Sequence, residues 1–169
     1  MSNFQKMSQS RFFVLAVVFL VTVVLDQWTK YLIYSQFRWG ESVPVFESFF
    51  AITYVRNTGA AFGLLHQAPE AIRLPFFLVV PVVALLVIGY LFYKLKDSQR
   101  WVTVALSLIV SGAVGNLIDR SRFGFVVDFL DFYVGSHHWP AFNVADSAIV
   151  VGVAMMFLDS FKKPAAASN

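Results

Sequence analysis

Six ionisable residues, Asp26, Lys30, Asp119, Arg120, Asp146 and Asp159, stand inside or at the ends of long apolar runs. A seventh, Asp128, sits in the apolar stretch VVDFLDF. An ionisable group in a membrane span costs on the order of 2.5–3.5 kcal/mol on insertion scales, so each is a functional candidate. Two aspartates held close together cannot both ionise easily and tend to share one proton. The ionised member can then take a proton from water while the protonated one donates to a carbonyl oxygen. That is peptide hydrolysis without metal or thiol. The chain has no cysteine, which removes disulfides, thiol nucleophiles and thiolate metal sites together. It has no G-x-S-x-G and no glycine-rich phosphate loop. Ser147, beside Asp146, would need a His or Lys base. The adjacent His137 and His138 lack the spacing of known ligand pairs, and His66 stands apart, so neither metal nor cofactor is expected.

The same spacings also serve structure. Asp26 and Lys30 are four apart and share a helix face, so an ion pair is expected. Asn116 and Arg120 are also four apart, with Asp119 on nearly the same face. This group reads equally as a polar seam gluing helices, helped by the small Ser111, Gly112 and Gly115, or as part of a site. Asn143 and Asp146 match a helix cap followed by an acid at the third helical position. A helix start also stabilises an ionised carboxylate. Asp131, three residues after Asp128, reads as the exposed member of its run. Asp159 reads as solvated.

Long apolar elements must position these groups. Of 169 residues, 58% are hydrophobic and 14% charged, with mean hydropathy +0.67. A soluble enzyme and a disordered chain are both excluded. A net charge of +3 gives no argument for nucleic acid. Four spans are expected, at about 12–32, 72–93, 101–118 and 142–158, the last the shortest. Pro75 and Pro81 are tolerable in the second. The first run ends in DQWTKYLIY, without a small-residue cleavage site, so it reads as a retained helix rather than a signal peptide.

Basic residues cluster before span one (Lys6, Arg11), between spans two and three (Lys94, Lys96, Arg100) and after span four (Lys162, Lys163). These clusters place both termini in the cytoplasm and segments 33–71 and 119–141 outside. Trp28, Tyr31, Tyr34, Trp39 and Trp139 suit interfaces. At about 1.5 Å per residue, Asp26 lies about 21 Å along span one and Asp119 about 27 Å along span three. Asp146 opens span four and Asp128 lies in the connection between spans three and four, so four carboxylates converge on one outer level. FFAITYVR (49–56) reads as a strand, followed by NTG and AAFGLL; FVVDFLDFYV (125–134) reads as extended or amphipathic. The expected fold is an all-α, four-transmembrane-helix bundle with a small extracytoplasmic β-rich platform, in one domain.

Five blocks resemble bacterial lipoprotein signal peptidase (signal peptidase II): DQWTK at 26–30, RNTGAAFG at 56–63, GNLIDR at 115–120, VVDF at 126–129 and FNVADSAI at 142–149. The resemblance covers about residues 12–160. It implies an inner-membrane aspartyl endopeptidase that removes signal peptides from diacylglyceryl-modified prolipoproteins, cleaving before the lipidated cysteine. It implies that the catalytic pair falls on Asp128 and Asp146, with polar support from Asn57, Asn116, Asp119, Arg120 and Asn143, and with Asp26 and Lys30 further off. It implies inhibition by globomycin. Asp146, at a helix start, is expected to ionise more readily than Asp128. Substrates and membrane lipid are the expected partners, and a monomer the expected state. A proton-coupled transporter would place its acids near the midplane and show repeats in its two halves; a scaffold would use them as helix glue. A lipidated-peptide assay separates these.

Overall fold

The structure is a computed structural model that describes residues 3–59, 68–96 and 98–161, without the side chains of 3–10. The expected AAFGLL segment and His66, and the side chains of Lys6, Lys162 and Lys163, lie outside the described residues. In chain order the elements are α1 (Asn3–Gln36), β1 (Ser42–Phe46), β2 (Phe50–Asn57), α2 (Glu70–Lys94), α3 (Arg100–Phe123), β3 (Val126–Val134), β4 (His137–His138) and α4 (Val144–Ser160). Among the described residues the fold is mostly helical with one small antiparallel sheet.

Among the described residues, three helices are long and apolar enough to cross a membrane: Arg11–Gln36, Glu70–Lys94 and Arg100–Phe123. The fourth expected span forms α4, whose 17 residues stand at the lower limit of the about 17–25 that cross the hydrocarbon. α2 buries only Phe77 and Phe92 and contains Pro75 and Pro81. Its exposed Val79, Val83, Leu86 and Val87 suit lipid rather than water.

α3 is the central helix, packing against α1, α2 and α4. Its buried face carries Ala105, Ser107, Ser111, Gly112 and Gly115, which permit close approach. A Cβ on Gly112 would lie 2.3 Å from the Ala145 carbonyl oxygen of α4, and one on Gly115 would lie 2.5 Å from Asp26 Oδ2 of α1. Ser107 and Ser111 each donate to the carbonyl four residues back, at 2.7 and 2.6 Å, so neither hydroxyl is wasted in an apolar seam. The helix ends at Gly124, whose φ of 75° suits the left-handed cap.

The sheet has strand order β1-β2-β3-β4. Strand β1 escaped the sequence reading because SVPVF holds a proline and is fully exposed, as an edge strand tolerates. Between β2 and β3, Val55 pairs with Asp128, Arg56 with Val127 and Asn57 with Val126, beyond an irregularity at Ile52/Val55. Tyr54, Val127 and Phe129 pack with Ile33 of α1 and seat the sheet on that helix's end. A second core, Phe92, Val102 and Leu106, joins the helices elsewhere. Phe142 exchanges backbone hydrogen bonds with Leu130 at 2.8 and 3.1 Å. This fixes the chain just before α4 against β3.

Candidate active site

Asp128 lies on β3, where both faces of the strand are covered, and is 1% exposed. Its Oδ2 accepts from Asn57 Nδ2 at 2.8 Å and its Oδ1 from Asn143 Nδ2 at 2.6 Å. Burial, with the Asp146 charge adding, pushes the Asp128 carboxyl up to about 7, against the amide hydrogen bonds and the Lys30 charge.

Asp146 is the third residue of α4 and half-buried. The expected cap is present as a reciprocal capping box: Asn143 Oδ1 accepts from the Asp146 N–H at 2.9 Å, and Asp146 Oδ2 accepts from the Asn143 N–H at 3.3 Å. Asp146 Oδ1 accepts from Asn116 Nδ2 at 2.7 Å. All four carboxylate oxygens of Asp128 and Asp146 thus face N–H donors, and Asn143 bridges the two acids.

Behind them stands a buried cation. Lys30 Nζ lies 2.9 Å from Asp26 Oδ2 and 3.2 Å from Asp119 Oδ2, and donates to Asn116 Oδ1 at 3.0 Å. The last bond holds the Asn116 carbonyl toward Lys30 and therefore its N–H₂ toward Asp146. The expected Asp26–Lys30 pair is real, with Asp119 as a third member. Each supporting acid also grips main chain beside a member of the central pair. Asp26 Oδ1 accepts from the Ala145 N–H at 2.9 Å, and Asp119 Oδ2 from the Val127 N–H at 3.0 Å. Arg120 donates from Nη2 to the Gly59 carbonyl at 3.0 Å, and the Gly59 N–H donates to Asn57 Oδ1 at 3.0 Å. Arg120 thus steadies Asn57, and through it Asp128.

The structure therefore joins Asp26, Lys30, Asn57, Asn116, Asp119, Arg120, Asp128, Asn143 and Asp146 in one cluster. Asp159 lies apart, in the last turn of α4. Ser147 donates to the Asn143 carbonyl at 2.9 Å, with no His or Lys against it among the described residues. The reading of Asp131 as exposed is corrected: it is buried and lies 2.9 Å from His138 Nδ1. β3 and β4 pair there, so the acid faces a partner across the hairpin. Gln27 is not among the expected site residues, appearing in the sequence only within the block DQWTK. Its Nε2 donates to Asp26 Oδ2, Asp119 Oδ1 and the Gly115 carbonyl at 3.0–3.2 Å. A primary amide in an apolar run carries the same cost argument as a charge, and that signal would have found it.

This arrangement can share one proton between two carboxyls at the mouth of a polar cluster, with Asp146 the more accessible of the pair. The profile of the family described as signal peptidase (SPase) II matches residues 18–162. The lipoprotein signal peptidase of Geobacter metallireducens is 52% identical over 149 residues, covering 88% of this chain and 91% of that protein. That of Geobacter sulfurreducens is 55% identical over 146 residues, covering 86% and 90%. A bacterial membrane enzyme solved by the in meso method at 1.9 Å superposes with a TM-score of 0.78 at 32% identity, covering 89% of this chain and 94% of that one. Matched along most of its length by profile, sequence and fold, the chain belongs to the signal peptidase II family of membrane peptidases.

Proposed function

We propose that this protein is an aspartyl endopeptidase that removes the signal peptide from prolipoproteins, with Asp128 and Asp146 as its catalytic residues. The observation that carries the proposal is the Asn143 bridge, which holds a deeply buried acid and a helix-opening acid in one hydrogen-bonded group. Asp128, pushed up to about 7, holds the shared proton. Asp146, at the start of α4, is the carboxylate.

In the reaction, Asp146 takes a proton from water as the water oxygen attacks the scissile carbonyl carbon. Asp128 gives its proton to the carbonyl oxygen, forming a tetrahedral diol. Asp146 then passes its proton to the departing amide nitrogen. The carbonyl reforms as the diol returns a proton to Asp128, and the C–N bond breaks. Both carboxyls end in their starting states.

The relatives' name, lipoprotein signal peptidase, supports prolipoproteins as the substrates; the resemblance of the five sequence blocks further implies a precursor carrying diacylglycerol on a cysteine, cut on that residue's N-terminal side, with globomycin as an inhibitor. The chain crosses the inner membrane four times, α4 completing the set, and acts as a monomer. Lys94, Lys96 and Arg100 face the cytoplasm with both termini, and the acids open toward the periplasmic side.

The test is cleavage of a diacylglyceryl peptide by the purified protein. Asp128→Asn and Asp146→Asn should each lower kcat/KM by about 100- to 10,000-fold, the range of general acid–base contributions, while melting as a folded protein. Activity within about tenfold of wild type in either variant would defeat the assignment.

A further inference from the structure

A second group of charges lies outside the acid cluster. Along β2, alternation turns Arg56 to the sheet face opposite Asn57, the residue that reaches Asp128. There the Arg56 guanidinium sits 5.2 Å from the centre of the Trp39 ring, 5.4 Å from Tyr54 and 4.9 Å from Phe125, and its Nε donates to the Tyr54 hydroxyl at 3.0 Å. The rings continue: Phe125 stacks on Phe123 at 5.6 Å, and Phe123 on Tyr34 at 5.2 Å. Arg122 lies over Phe123 at 5.1 Å. Two guanidiniums therefore occupy neighbouring rings of one stack, where the ends of α1 and α3 meet the sheet.

Among the described residues, neither Arg56 nor Arg122 has a carboxylate within ion-pair distance. Arg122 lies in the last turn of α3, where a cation offsets the helix dipole. That account does not extend to Arg56, which is on a strand. Both residues are exposed, and Trp39 beside them is 71% exposed. Trp and Tyr gather at the headgroup level of a membrane. A guanidinium braced by rings keeps its planar fork ready for a phosphate.

We propose that Arg56, with Arg122 beside it, binds the phosphate of an outer-leaflet phospholipid whose glycerol end lies along Trp39, Phe125, Phe123 and Tyr34. This rests on the proposed membrane placement and not on the peptidase chemistry.

Native mass spectrometry of the purified full chain, titrated with phosphatidylglycerol in detergent, provides the test. Wild type should retain lipid. Arg56→Gln should weaken retention by about tenfold or more, Arg122→Gln should weaken it less, and Arg56→Lys should fall between wild type and Arg56→Gln. The Lys94→Gln/Lys96→Gln variant, altered between α2 and α3, should match wild type. Inorganic phosphate should compete only weakly, because it lacks the part that meets the rings. Equal retention by wild type and Arg56→Gln would overturn the site, as would equal loss in the Lys94/Lys96 variant. Phosphate binding without lipid retention would also overturn it. Melting of each variant in the same detergent shows that it is folded. Cleavage does not enter the readout, so failure of the peptidase reading leaves this result interpretable.

Discussion

Between its unfolded value near 4 and its folded value of about 7, the Asp128 carboxyl keeps a proton in the folded chain that the unfolded chain releases. The stability it contributes is full below about pH 4 and is lost as pH rises through about 7. Thermal melts from pH 4 to 8 should show this decline, and Asp128→Asn should flatten it. The proton lost on that limb is also the one the proposed reaction uses. The kcat/KM profile should therefore fall above about pH 7, a limb checked by initial rates across pH. Gln27→Leu keeps much of the side-chain volume but removes the donor to Asp26, Asp119 and the Gly115 carbonyl. It should cost about 1–3 kcal/mol in denaturation. Lys30→Met leaves Asp26 and Asp119 buried without their cation and should cost about 3–5 kcal/mol.

Each catalytic candidate is aimed by the element that carries it, and the elements are held by close approach. Gly112→Ala would drive its methyl into the Ala145 carbonyl, one residue before Asp146. Gly152→Ala meets the Ala105 carbonyl at 2.6 Å, far along the same helix pair. Both should destabilise by about 1–3 kcal/mol. Only Gly112→Ala should also cut kcat/KM disproportionately, because it shifts the first turn of α4; equal rates in the two variants, measured well below their melting points, would contradict this. Much of this was legible from spacing. The four-residue gap between Asp26 and Lys30 announced their pair, Asn143 and Asp146 announced the cap, and FFAITYVR announced β2. Other features are tertiary and left no local trace. Asp131 looked exposed because its partner His138 arrives through the β3–β4 hairpin. β1 has neither alternation nor a buried face. The grip of Asp26 on the Ala145 N–H joins residues 119 positions apart, which no periodicity reports.

For the molecule as a whole, the apolar lengths and the basic clusters state an orientation that can be checked directly. The chain contains no cysteine, so a single introduced thiol is a unique label. In intact cells with a permeable outer membrane, Ser136→Cys in the β3–β4 turn should react with an impermeant maleimide. Ser98→Cys, between α2 and α3, should react only after the inner membrane is opened. The reverse pattern would invert the proposed topology. Three spans are plain in the sequence and α4 less so, because it begins with polar residues that shorten its apolar length.

The Lys30 ion pairs bear on how such a chain could be made. Asp26 and Lys30 are neighbours on one helix turn, so α1 emerges from the ribosome with its buried charges already cancelled. It can partition into lipid long before α3 delivers Asp119. Since Asp119 and Asp26 also clasp the main chain beside Asp128 and Asp146, a half-synthesised protein has not yet set the proposed pair of acids. On the proposed reaction, newly inserted helices would be inert toward neighbouring precursors until the final segment docks.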